Sequence, residues 1–291
     1  MPESISLFKN AKNEEKYMAA YDKALKLWPI PYETTFIPTK IGSTHVIVSG
    51  NREGKPLVML HGAAASATMW YANVEELGKN HRIFAVDTVT DIGKSKIFSL
   101  PKTRQDLADW LVEVLNGLEI EKPHLVGLSY GGFITMSVAY YNPDLVDKIV
   151  MLAPAAVFEK LSMTFWIQAF SAMLLPFKSR IEGFLKWMTA EGNEQLNAYR
   201  DQFILAMGLG RSKLSIMPSV FSDDELKSIE KLALLLVGDH EVIYNGPRVI
   251  ERAKQLMPNV QTELVPNCGH GVAMEQPEFV NSRILQFLGE G

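Results

Sequence analysis

The segment of this sequence with the clearest chemistry is Gly127-Leu128-Ser129-Tyr130-Gly131. It follows an apolar run and precedes a helical pattern, so Ser129 is expected on a sharp strand-to-helix turn with its hydroxyl above a sheet. The flanking glycines let strand and helix pack that closely. A serine hydroxyl is a weak nucleophile at neutral pH and must give its proton to a base, most often a histidine held by a carboxylate. With the nucleophile on such a turn, acid and then histidine follow in chain order. Of the six histidines, His45, His61, His81, His124, His240 and His270, the last two come late enough. His270, in the turn Asn267-Cys268-Gly269-His270-Gly271 after the final strand-like run, is the expected base, and His240 reads as a loop residue. Two acids, Asp239 and Glu241, follow the preceding strand, and spacing leaves both open because either carboxylate can orient a histidine. The oxyanion of a tetrahedral intermediate needs preorganised N–H donors. The backbone of Tyr130 is one candidate donor; Ala63, in the small-residue turn His61-Gly62-Ala63-Ala64-Ala65, is the other. His61 itself reads as a structural hydrogen-bonding residue.

These residues need a scaffold, and the hydrophobic rhythm of the chain indicates one. Short apolar runs recur at 56–61, 82–87, 124–129, 148–153, 232–237 and 261–266, with helical patterns near 69–80, 103–119, 130–142, 247–257 and 277–288. Continuous apolar runs fit parallel strands covered on both faces, so a mostly parallel central sheet with helices on both faces is expected. Ahead of it, residues 13–28 place Tyr17, Ala20, Tyr21, Ala24 and Leu27 at helical spacing until Pro29 and Pro31. Residues 33–37 and 44–49 read as a hairpin.

From 158 to 222 no strand pattern occurs, while bulky aromatic and Met residues are frequent. A structureless loop of that length is improbable in a compact domain. The expected organisation is therefore a core of residues 1–157 plus 223–291, with residues 158–222 inserted as a helical cap. Most of these side chains read as the cap's own packing, and Phe165, Trp166 and Phe170 are the candidates for lining a substrate pocket.

Composition narrows the function further. A chain of 291 residues, 47% hydrophobic and 21% charged, can bury a large core. A formal charge of −4 without a basic block argues against nucleic acid as a partner. The longest apolar stretches fall far short of the ~20 residues of a bilayer-spanning helix. One cysteine, Cys268, and an opening MPESISLFKN without a basic-then-apolar leader give the expectation of a cytoplasmic protein. Cys268 reads as a small residue filling the histidine loop. His240-Glu241 begins like H-E-x-x-H, but Tyr244 occupies the second histidine position, so no metal is expected; without G-x-G-x-x-G or a Walker-type loop, no cofactor is expected either.

With HG after one strand, G-x-S-x-G after the next but one, an acid loop and a terminal GH loop, the chain resembles the α/β-hydrolase fold family over nearly all its length. Residues 21–50, 61–74, 238–245 (GDHEVIYN) and 268–281 (CGHGVAMEQPEFVN) more closely resemble bacterial carboxylesterases of the carboxylesterase NP type. In the wider family the acid stands three residues after the glycine ending its strand. Matching Gly238 to that glycine makes Glu241 the acid implied by the resemblance, with Asp239 in reserve. Many relatives carry D-x-x-G-x-G-x-S where this chain has Asp87-Thr88-Val89-Thr90-Asp91-Ile92-Gly93-Lys94-Ser95. That departure weakens transfer of proline-iminopeptidase or ring-cleavage activities, and a serine at the turn disfavours dehalogenases and epoxide hydrolases, which use aspartate there.

The resemblance implies hydrolysis of small-to-medium apolar carboxylic esters, small-molecule substrates, through an acyl-enzyme on Ser129. Two other readings stay open: a ligand sensor retaining slow hydrolysis, and a carbon–carbon bond hydrolase on the same residues. The latter needs a cationic cap residue facing a substrate carboxylate, for which Arg180, Arg200 and Arg211 are available.

Overall fold

The computed structural model describes residues 4–190 and 197–289. Its first helix, α1 (Ala11–Leu25), starts where the Asn10 side chain accepts from the Asn13 N–H at 2.9 Å. Tyr17, Tyr21, Ala24 and Leu25 form its buried face. Leu27 does not join them, because the helix stops at Leu25 and Leu27 lies in the turn beyond it, exposed. The strands β1 (Tyr32–Thr39) and β2 (Gly42–Gly50) make the antiparallel hairpin, and β2 pairs in turn with β4 (His81–Val86).

From β4 onward the sheet is parallel, in the order β4, β3 (Lys55–Leu60), β6 (His124–Leu128), β7 (Ile149–Leu152), β8 (Ala233–Gly238) and β9 (Val260–Val265). A two-residue strand, β5 (Lys96–Ile97), pairs with β2. Every residue of β6, β7 and β8 is buried. Side chains alternate between the faces of a strand, so both faces of the sheet centre are covered. The edge strand β9 departs from the continuous apolar run expected of it. It has one neighbour, leaves Gln261 and Leu264 exposed, and pairs Glu263 with Arg283.

Helices fill the crossovers and follow the last strand. These are α2 (Val74–Leu77), preceded by a 3₁₀ segment at Ala67–Ala72, α3 (Arg104–Gly117), α4 (Tyr130–Tyr141), α8 (Asp223–Ser228), α9 (Gly246–Leu256), α10 (Val272–Glu275) and α11 (Pro277–Leu288). The helix that follows Ser129, α4, is apolar on nearly all sides and buries Tyr130 through Ala139 without a break, as a helix packed on several sides must.

Between β7 and α8 lie α5 (Met163–Leu174), α6 (Lys178–Met188) and α7 (Asn197–Leu209), with no strand among the described residues. This stretch does not stand apart from the amino-terminal segment. Phe8 and Gly210 form an antiparallel bridge, the Arg211 N–H donates to the Leu7 carbonyl at 2.7 Å, and α1 packs along α7.

Candidate active site

Ser129 sits between β6 and α4 with φ +52° and ψ −111°, a left-handed conformation that a non-glycine residue holds only when its surroundings impose it. Its N–H donates to the Leu152 carbonyl on β7, and its own carbonyl accepts from Phe133 and Ala155. The glycines make the approach possible: a Cβ on Gly127 would meet the Gly131 carbonyl oxygen at 2.2 Å, and one on Gly131 would meet that of Leu60 at 2.1 Å.

The structure brings Ser129, His270 and Glu241 into one hydrogen-bonded line. His270 Nε2 lies 2.8 Å from Ser129 Oγ, and His270 Nδ1 lies 2.8 Å from Glu241 Oε2. The other carboxylate oxygen of Glu241 accepts from the Val242 and Ile243 N–H groups at 2.8 and 3.0 Å. That leaves the carboxylate buried, fixed and aimed at the ring. Burial disfavours the imidazolium of His270, but the charge and hydrogen bond of Glu241, with a contribution from Glu275, outweigh it and raise its pKa.

Asp239 takes a different place. Its Oδ1 accepts from the Cys268 N–H at 3.1 Å and meets His240 Nδ1 at 2.6 Å, so it ties the start of the histidine loop rather than the histidine. Burial works against its carboxylate, yet those hydrogen bonds prevail and hold its pKa below the usual value. Cys268 is buried, and burial pushes its thiol pKa upward, away from thiolate chemistry.

Ala63 and Tyr130, the first residue of α4, border the same cavity as Ser129 and His270. The Ala63 turn comes close to the serine, since a Cβ on Gly62 would lie 3.3 Å from that of Ser129. Buried Asp91 fastens this turn by accepting from the Ala64 N–H at 2.8 Å, with Ile92 and Ser212 as its further donors. Burial raises the Asp91 pKa against these contacts. His61 accepts from the Thr88 N–H at Nε2 (2.9 Å) and reaches the Gly62 carbonyl through Nδ1 (2.8 Å), which occupies both ring nitrogens of the neutral Nδ1–H form.

Two supporting carboxylates were not singled out by sequence reasoning. Asp91 lies in the very segment that departs from the family pattern. Glu275, five residues after His270, accepts from the Gly269, Gly271 and Ala190 N–H groups at 3.1, 2.8 and 2.8 Å. Its signal was weak, because an acid in a short helix after a loop usually faces water.

The cavity has a volume of about 650 Å³ and is mostly apolar. Phe165, Trp166, Ala169 and Met173 of α5 line it together with residues of α6 and α7. Phe170 is a correction to the sequence expectation. It falls beyond the edge of that helical stripe, is 52% exposed, and packs its ring 5.8 Å from that of Trp166 on the outer side. Of the three arginines, Arg211 lines the cavity, whereas Arg180 reaches Ser171 and Arg200 reaches Glu182.

A strained serine on a strand-to-helix turn of a mostly parallel sheet, facing a histidine and a carboxylate from later loops, defines a hydrolase of the α/β class. The chain belongs to the alpha/beta hydrolase family, which matches residues 57–283. It is 37% identical to a Bacillus subtilis protein named uncharacterized carboxylesterase nap, across 98% of this chain and 96% of that one, and 35% identical to carboxylesterase YbfK of the same organism, across 95% and 94%. The crystal structure of naproxen esterase (carboxylesterase NP) from Bacillus subtilis is 36% identical and superposes with a TM-score of 0.91 over 96% of this chain and 99% of that one.

Proposed function

We propose that the protein is a serine carboxylesterase whose reaction runs through an acyl-enzyme on Ser129. The observation that carries this reading is the unbroken line from Glu241 through His270 to Ser129, each link 2.8 Å. In the first half-reaction His270 Nε2 takes the Ser129 proton as Oγ attacks the ester carbonyl. The Ala63 and Tyr130 N–H groups receive the oxyanion, and His270 returns the proton to the departing alcohol. In the second half-reaction His270 activates water against the acyl-enzyme. Glu241 holds the ring with Nε2 toward the serine and stabilises the transient imidazolium.

Residues 158–222 act in this reading as a cap on a core of residues 1–157 plus 223–291. Support comes from Phe165 and Trp166, which give the cavity apolar walls suited to the acyl or alcohol part of an ester. The two Bacillus subtilis relatives named carboxylesterases argue for esters as the substrate class. No helix among the described residues is long and apolar enough to cross a membrane, and a single unpaired cysteine suits the reducing cytoplasm.

The test is steady-state hydrolysis of p-nitrophenyl esters of increasing chain length. Repeated turnover is expected, with Ser129→Ala lower by about 10⁴-fold or more in kcat. A burst of one equivalent followed by arrest would favour a sensor instead. Because Arg211 lines the cavity, vinylogous diketo acids belong in the same assay; faster turnover of these than of any ester would replace the esterase reading with carbon–carbon bond hydrolysis.

A further inference from the structure

The charged residues of the catalytic cavity are of one sign. Among the described residues lining it, Lys9, Arg211 and Lys213 carry cationic side chains, and no Asp or Glu is present. This asymmetry runs against the net charge of −4 for the chain. None of the three cations takes part in an ion pair among the described residues, whereas other lysines and arginines, such as Lys23, Arg104, Arg200 and Arg252, have carboxylate partners. Buried Asp91, beside Ser212, is not among the lining residues and is occupied by the Ala64 and Ile92 N–H groups and the Ser212 hydroxyl.

The backbone gathers these cations. The Phe8–Gly210 bridge and the hydrogen bond from Arg211 to the Leu7 carbonyl place Lys9 and Arg211 on paired segments. The Lys213 N–H donates to the Thr90 carbonyl, holding the third beside the Asp91 turn. Lys9 and Arg211 are exposed and Lys213 half-buried, so these cations stand where the cavity meets solvent, whereas buried apolar side chains such as Phe184 and Phe203 line its interior. Unpaired like charges at one rim destabilise the protein slightly, and an anionic ligand group relieves that repulsion.

We infer that the mouth formed by Lys9, Arg211 and Lys213 binds an anionic group, carboxylate or phosphate, carried by the substrate at the end remote from the reacting ester. The preferred substrates are then amphipathic anionic esters, with an apolar chain along the cavity wall and the ester carbonyl at Ser129. This inference rests on the esterase reading for its chemistry but not for its binding site.

The experiment compares methyl esters of ω-carboxyalkanoic acids with their neutral ω-carboxamide isosteres over a series of chain lengths, with ω-phosphoryloxy esters as a third set. At a preferred length, kcat/KM for an anionic ester is expected to exceed that of its isostere by about two- to fivefold, the scale of a partly exposed ion pair. The ratio should fall toward one in Lys9→Gln/Arg211→Gln/Lys213→Gln and, for the wild type, with rising salt. Arg211→Glu, a change at an exposed position, reduces the ratio even if the triple variant fails to fold. A larger ratio for phosphoryloxy than for carboxy esters identifies phosphate as the recognised anion.

Calorimetric titration of Ser129→Ala with the same pairs separates binding from chemistry. Tighter binding of the anionic member with no turnover of any ester by the wild type would leave the anion site standing and remove the esterase reading. Ratios of one at every length, in turnover and in binding, would overturn the inference and leave the esterase reading in place.

Discussion

Glu241 and Asp239 stand two residues apart after β8, yet their surroundings give them different work. In Glu241→Gln the amide oxygen would still accept from Val242 and Ile243, which turns the NH₂ toward His270 Nδ1. The ring must then carry its proton on Nε2, where it cannot act as base. A loss of about 10³- to 10⁴-fold in kcat on a neutral p-nitrophenyl ester is expected, by the tautomer argument that applies to serine triads. In Asp239→Asn the side-chain oxygen can still accept from the Cys268 N–H, so the loss should stay within about tenfold. Equal losses in the two variants would show that the acid has been assigned to the wrong residue. Ser129 and His270 were legible in the sequence because small residues must flank such a turn and because chain order restricts the base. The choice between the acids was not legible from spacing, since it depends on how the chain turns after Gly238; Glu241 emerged only through resemblance. Spacing does not place Phe170, because a fraction of a helical turn decides whether an aromatic faces a cavity or water.

One side chain and one backbone hydrogen bond hold the loop that carries His270 against the end of α6. Glu275 on α10 accepts three backbone N–H groups, two beside His270 and one from Ala190, and the His270 N–H itself donates to the Met188 carbonyl at 2.7 Å. Glu275→Gln replaces an acceptor oxygen with a donor and leaves at least one N–H unpartnered, at a cost of about 1–3 kcal/mol. It also removes a negative charge that helps raise the His270 pKa. Since the neutral imidazole is the base, kcat/KM should rise with pH through a midpoint above the ordinary histidine value of ~6.5, and the midpoint in Glu275→Gln should lie lower. The same raised pKa stabilises the fold at low pH, and that contribution is lost as pH rises through the folded value. A reduced rate with an unmoved midpoint would mean that Glu275 acts on loop geometry alone. At this scale the buried parallel strands were legible because apolar residues on both faces leave little alternative. The 3₁₀ segment at Ala67–Ala72 read as plain helix, since spacings of three and four residues are confounded in so short a run. The two residues of β5 and the four of α10 were too short to show a period.

Across the whole molecule, the helices between β7 and α8 are anchored unequally. Along α7, Tyr199, Gln202, Phe203, Ile204 and Ala206 are buried. Gln202 donates to Ser66 at 2.9 Å and to Tyr17 at 3.3 Å and accepts from Thr68 at 2.7 Å, while the Ser66 N–H donates to the Tyr199 hydroxyl at 3.1 Å. This buried network joins α7 to α1 and to the loop after β3, so opening α7 would strand several polar groups without partners. By contrast α5 buries only Ala169 and Ala172 and leaves Met163, Ile167, Phe170, Met173 and Leu174 exposed. Free energies of local opening follow such differences in burial and polar satisfaction. Native-state hydrogen exchange is therefore expected to show the amides of α7 protected together with those of α1, and those of α5 exchanging through a lower-energy opening. In Gln202→Leu, which removes the hydrogen bonds to Thr68, Ser66 and Tyr17, protection of α7 should fall toward that of α5. If α5 and α7 instead exchange as one unit in the wild type, the three helices open as a single lid. Unequal protection would mean that access to Ser129 is controlled by α5, while α7 and the amino-terminal helix form a fixed wall of the cavity.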